Sequence, residues 1–172
     1  MWRLQAQASN SQQKLQLNSK MGHFQIPAPA GFYFDRLNVA DVSTILSTYP
    51  PNSVYGSRQW FSTLIEKMPN LCLRQQGDDK LVAFEFVLAS GMLHHLYVVP
   101  EYRQKGLGHV VQQRFLQSLL HPTDGRPPTV PHKHIVVTNQ SGIAFTRSAR
   151  QTQIWDTQPF QRIFFNYEPP SK

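Results

Sequence analysis

The 172-residue chain predicts an α/β domain on a mixed, mostly antiparallel central sheet, with elements in the order β-α-α-β-β-β-α-β-α-β. Three observations carry that prediction. Two early stretches repeat their apolar residues at helical spacing. Three stretches after them alternate or run apolar as strands do. A further helix pattern then separates two strand-like segments, which lets those two lie parallel through a right-handed crossover.

"GFYFDRL", residues 31–37, follows the Pro-rich "IPAPA" and reads as the first strand. In "NVADVSTILSTY" Val39, Val42, Ile45, Leu46 and Tyr49 recur at helical spacing; Asn38 can cap the start and Pro50-Pro51 ends the run. "SRQWFSTLIEKM", from Ser57, sets Trp60, Phe61, Leu64, Ile65 and Met68 on one face until Pro69 stops it. "LCLRQ" from Leu71 and "LVAFEFVLA" through Ala89 are strands joined by the turn "GDDK", and Ser90-Gly91 turns the chain into "MLHHLYVV". Leu107, Val110, Val111, Phe115, Leu119 and Leu120 then mark a helix of about four turns. After the loop "HPTDGRPPTVP", the β-branched "HIVVT" reads as a short buried strand with Asn139 at its end. "SGIAFTRSA" reads as the last helix and "FQRIFFNY" as a closing strand, with room for an extra strand near Ile154-Trp155.

The composition, 40% hydrophobic and 12% aromatic, supports one ordinary core and excludes a disordered or fibrous chain. No apolar run approaches the length of a membrane span, so no membrane partner is expected. A formal charge of +7 suits an anionic partner. The Lys and Arg residues are scattered, without a basic block, so a nucleic-acid partner ranks well behind a solvated basic surface. Cys72 is the one cysteine, which excludes an internal disulfide. It suits a reducing, intracellular compartment, the cytoplasm first and the mitochondrion second. Residues 1–34 contain no Asp or Glu, and residues 1–30 read as a poorly ordered leader or the remnant of a preceding domain.

The chemistry concentrates in "LYVVPEYRQKGLGH", residues 96–109, where a strand runs into Arg103-x-x-Gly106-x-Gly108 and a helix pattern begins at once. Glycines at a helix start let backbone N–H groups converge on an anion, and the positive end of the helix dipole faces the same point. Two other phosphate loops are excluded by spacing. A Walker loop needs Lys-Ser/Thr where His109 and Val110 stand, and a dinucleotide fingerprint needs glycine at Val111 and a place in the first β-α unit.

"RQKGLG" resembles the Arg/Gln-x-x-Gly-x-Gly/Ala coenzyme A loop of the GCN5-related N-acetyltransferase (GNAT) superfamily, and the element order is similar to that superfamily's. "VPEYRQKGL" further resembles the "LPEYRGQGL" phrase of the glycine N-acyltransferase-like branch. "GFYFDRLNVADVSTILSTYP" and "VVTNQSGIAFTRSA" are similar to its flanking segments. The resemblance covers Gly31 to Tyr167 and implies an acyltransferase domain at residues 31–168. Members of that branch carry another domain of comparable size in front, so the chain looks like a lone domain, a shortened isoform or a compact relative. By resemblance, the donor is acetyl-CoA or another acyl-CoA, the acceptor a small amine or amino acid such as glycine, and no metal is used. Val98 and Val99 would offer backbone groups to the pantetheine arm. Arg103, Gln104, Lys105, Gly106, Leu107, Gly108 and His109 would form the pyrophosphate loop. Asn139 would meet the pantetheine arm or cap the following helix.

Amide formation from a thioester needs a base for the amine, a donor for the oxyanion and an acid for the departing thiolate. Several relatives place a glutamate where this chain has Met92, and a thioether takes no proton. By strand alternation His94 shares the Met92 face and is the candidate base, His95 points oppositely, and Glu85 is a further candidate. The acid position matches Thr146, a poor donor, and Arg150-Gln151 replaces the relatives' Gly-Phe pair. These departures keep open a second reading, an acyl-CoA-binding protein with an interaction or regulatory role. His132 and His134 lack a third ligand by sequence, so zinc is not expected. Cys72, Trp60, Phe61, Phe84 and Phe86 are assigned to packing.

Overall fold

A computed structural model describes residues 2–6, 26–49, 57–129, 131–148 and 155–159. The strands are β1 (Trp2–Ala6), β2 (Phe32–Asp35), β3 (Asn70–Gln75), β4 (Leu81–Val87), β5 (Met92–Val98), β6 (His132–Ile135) and β7 (Trp155–Pro159). The helices are α1 (Val42–Ser47), α2 (Arg58–Lys67), α3 (Leu107–Leu120) and α4 (Gln140–Arg147), with short 3-10 turns at Val39–Asp41 and Pro100–Tyr102. The strands form one seven-stranded sheet in the order β2-β3-β4-β5-β6-β1-β7. Every pairing is antiparallel except β5 with β6, the parallel neighbours joined through α3. The mixed, mostly antiparallel sheet expected from sequence is therefore present.

The core sits on both faces of β4, which is buried along its whole length. On one face Phe84 and Phe86 meet Val42 and Ile45 of α1 and Phe61, Leu64 and Ile65 of α2. On the other, Val87 and Leu93 meet Phe115, Leu116 and Leu119 of α3, with Ile135 closing the cluster. Each fully buried Phe or Leu contributes roughly 1.5–3 kcal/mol of transfer free energy, so this sandwich dominates the stability of the domain.

Local signals explain the helix starts. The Asn38 side chain accepts from Ala40 N while Asp41 accepts from Asn38 N, a reciprocal cap. Ser57 accepts from Trp60 N at the head of α2. Arg74, 8% exposed, is held between Asp41 at 2.7 Å and Asp35 at 2.8 Å. Asn70 bonds Leu37 N, Ile65 O and Met68 O, tying the end of α2 to the sheet.

Three expectations need correction. The strand written as "HIVVT" begins two residues earlier, at His132, and ends at Ile135. Val136 and Val137 are about half exposed, because Asn139 N returns to Val136 O and turns the chain out of the sheet. A strand with no counterpart in the sequence reading, Trp2–Ala6, pairs through its backbone with β6 on one side and β7 on the other. Trp60, placed on the buried face of its helix, is 39% exposed. His95 does not point away from His94, for a reason given below. The closing strand expected at "FQRIFFNY" lies outside the described residues; Trp155–Pro159 occupies the place of the extra strand.

Candidate active site

β5 and β6 are paired only at Met92–His132 and Leu93–Lys133. Beyond that rung β5 continues to Val98 while β6 stops at Ile135, so the strands part and leave a fork in the sheet. A cleft of about 1360 Å³ runs through the fork, from the loop at Arg103–His109 to Tyr49 and His95.

The loop side is built by glycine and by helix geometry. Gly106 has φ +78°, the left-handed conformation a side chain resists, and its carbonyl accepts from His109 N and Val110 N. The N–H groups of Leu107 and Gly108, which line the cleft, are the open donors of the start of α3. Gly108 faces the fork with room for no more than a methyl group. A Cβ there would sit 3.4 Å from Val98 Cγ2 and 3.5 Å from Phe145 Cε2. Lys105 lies 5.1 Å over the Tyr102 ring, and Arg103 lies 5.3 Å over Tyr97 while its Nε donates to Val98 O at 2.9 Å.

The opposite side depends on a bulge. Phe84 faces Tyr97 and Phe86 faces His94, so His95 and Leu96 together stand opposite Glu85 alone. His95 takes φ +57° to make this fit. The extra residue brings His95 to the same face as His94 instead of the opposite one. His95 stacks on Tyr49, centroids 3.9 Å apart, and its Nε2 is bonded to the Thr48 hydroxyl. His94 lies 5.5 Å from the Phe86 ring and 6.2 Å from Tyr49. Burial lowers the pKa of both rings to about 4, with the neighbouring His94 adding to the effect on His95. Both are neutral at pH 7.

Of the residues singled out from sequence, His94, Val98, Arg103 through His109, and Asn139 all line this cleft. Val99 does not. Its N–H donates to Val82 O at 2.9 Å, because the end of β5 still pairs with β4. Asn139 caps α4, its Oδ1 accepting from Gly142 N at 2.9 Å, and lines the cleft as well. Thr146 is buried and is not among the lining residues. Sequence reasoning missed Tyr49, His95, Lys133, His134 and Phe145. His95 was missed because strand alternation placed it on the other face, and only the register against β4 shows the bulge.

Among the described residues no group of three or more His, Cys, Asp and Glu is placed to hold a metal ion. No helix there is long and apolar enough to cross a membrane. Cys72 is buried, and its thiol is pushed up to about 12 by burial.

Neither a family model nor a curated protein matches the chain. Solved structures do. A Drosophila protein matches with TM-score 0.61 and 20% identity over 91% of this chain, which spans only 49% of that protein. The Escherichia coli ribosomal-protein-S18-alanine N-acetyltransferase matches with TM-score 0.52 and 20% identity over 68% of this chain and 75% of its own. An aminoglycoside acetyltransferase from an uncultured soil metagenomic sample matches with TM-score 0.50 and 12% identity, over 81% and 97%.

The fold is the GNAT acetyltransferase fold. The parted strands and the glycine-led helix both open onto one cleft.

Proposed function

We propose that the protein is an acyl-CoA-dependent N-acyltransferase whose donor lies in the fork and whose acceptor is a small amine or amino acid. The observation that carries this reading is the parting of β5 from β6 after Leu93–Lys133, directly beside the left-handed loop at Gly106. An extended pantetheine arm would find the unpaired edge of β5. A pyrophosphate would find the N–H groups of Leu107 and Gly108, with Arg103 and Lys105 adding charge. The oxyanion donor would come from the same strand edge, at Val98 N–H. His94 and His95, neutral at pH 7, are the groups able to take the proton of the attacking amine.

The cleft lining supports an amino-acid acceptor, with glycine as the smallest case. The described lining residues include His94, His95, His134, Arg103, Lys105 and Lys133, but no Asp or Glu. A polyamine would meet no countercharge there, so an acceptor of low positive charge fits the lining better. The "VPEYRQKGL" resemblance points to the same acceptor class.

A second reading, an acyl-CoA-binding protein with an interaction or regulatory role, is favoured by Met92 at a position where a base is expected and by Thr146 lying outside the cleft lining. Free-thiol release decides between them. The full chain is mixed with acyl-CoAs of increasing length and with glycine, larger amino acids and a polyamine. Release that depends on both donor and an amino acid supports the enzyme. CoA binding without release for any pair supports the second reading.

A further inference from the structure

Lys133 occupies the last paired rung of the fork, opposite Leu93. Its side chain turns to the α3 and α4 face: the ammonium is 3.7 Å from Glu85 Oε1 and 5.5 Å from the centroid of Phe145, a residue of α4. The side chain is 13% exposed and lines the cleft. Glu85 is fully buried opposite the bulge and is oriented from α3 by Gln112, whose Nε2 donates to Oε1 at 2.9 Å; among the described residues Oε2 has no partner. A hydrophobic pair of similar volume would serve stability as well or better, since desolvating two charges consumes most of their attraction. The arrangement instead holds one ammonium at the crotch of the fork, on the face opposite His94 and His95.

We propose that Lys133 is the proton donor to the departing CoA thiolate, held in place by Glu85 and, through Glu85, by Gln112. The inference rests on the acyltransferase reading and assigns the acid that Thr146 does not supply. In the step, the amine nitrogen forms a bond to the thioester carbon and loses a proton toward the His94–His95 face. The C–S bond breaks with its electron pair on sulfur, and the Lys133 ammonium passes a proton to that sulfur. The imidazolium formed on the His94–His95 face releases its proton to solvent and the amine left on Lys133 regains one from solvent through the cleft, so the products are amide and free thiol. Burial lowers the pKa of the ammonium, with Glu85 opposing the shift. The ammonium therefore gives up its proton more readily than a solvated lysine would.

The test compares leaving groups. Wild type, Lys133→Arg, Lys133→Met and the charge-neutral pair Lys133→Met with Glu85→Gln are assayed with acetyl-CoA and with an acetyl thioester of an acidic aryl thiol, which departs without protonation. The acceptor is glycine or whichever amino acid the wild-type chain uses. Acetyl-CoA binding is measured separately by titration, and folding by thermal denaturation. The expected result is a loss in kcat on the order of a hundredfold with acetyl-CoA, little change in CoA affinity, and recovery of most of that loss with the aryl thioester. Equal losses with both donors in the folded double variant, or full activity in Lys133→Met, would overturn the assignment. A wild-type chain that binds no CoA fails the site reading itself, and one that binds CoA but transfers nothing fails the enzyme reading; the proposal falls with either.

Discussion

The imidazole of His95 lies face to face on the phenol of Tyr49, centroids 3.9 Å apart and planes 12° from parallel. This contact exists because β5 carries one more residue than β4 opposite Glu85, which turns His95 to the side of His94. The cleft therefore has two chemically distinct sides, His94, His95 and Tyr49 on the α1–α2 side and Lys133 and the glycine loop on the α3 side.

The two histidines should make stability fall as the solution is acidified. Their folded pKa values are about 4, against 6.5 when unfolded, so between those values the unfolded chain binds more protons. The contribution is fully present above pH 6.5 and is lost as pH falls toward 4, at most about 3 kcal/mol per ring. Urea midpoints measured from pH 7 to pH 4.5 should decline, and a His94→Gln, His95→Gln variant should show a flatter profile. A midpoint independent of pH in the wild type would contradict the buried, neutral assignment.

Gly106 and Gly108 should respond differently to alanine. At Gly106 the left-handed φ of 78° penalises any Cβ by roughly 1–2 kcal/mol and distorts the loop. At Gly108 the added Cβ makes ordinary contacts at 3.4 and 3.5 Å. Gly106→Ala should weaken CoA binding while Gly108→Ala largely preserves it. Acetyl-CoA titration of the two variants reads this directly, and equal affinities would refute the distinction.

The cap on α4 should be sensitive at a residue that makes no side-chain contact of its own. A Cβ on Gly142 would lie 2.8 Å from Asn139 Nδ2 and 3.0 Å from its Cγ. Gly142→Ala should displace the Asn139 side chain and cost about 1 kcal/mol, the usual value of a lost N-cap. Thermal denaturation should show a lowered Tm, and Asn139→Ala should lower it by a similar amount.

Cys72 should be chemically silent in the folded protein. It is buried on β3 with its thiol pushed up to about 12 by burial, so almost no thiolate forms at neutral pH. A thiol reagent should label it slowly in buffer and rapidly in urea. Fast native labelling would show that the core around β3 opens.

Much of the scaffold was legible in the sequence because its signals are local. The glycines of the loop, the periodicity of α3, and the helix crossover between parallel strands each follow from short stretches. The bulge at His95 was not, because strand alternation assumes one residue per rung, and the second residue opposite Glu85 becomes visible only when β4 is laid beside β5. The early start of β6 was hidden by β-branched propensity: Val136 and Val137 favour extended backbone, yet the pairing is made by His132 and Lys133 with Met92 and Leu93. β1 was missed because its partners are β6 and β7, far along the chain. Lys133 escaped for a related reason, since the charge of an isolated lysine carries no sign of the buried glutamate it meets.

Direct titration of the full chain with acetyl-CoA, wild type against Gly108→Glu, tests the central claim most closely. The account predicts saturable one-to-one binding that weakens with salt and disappears in Gly108→Glu, whose side chain would enter the fork beside Val98 and Phe145. No saturable binding by the wild type, or binding undiminished by the glutamate, would contradict it.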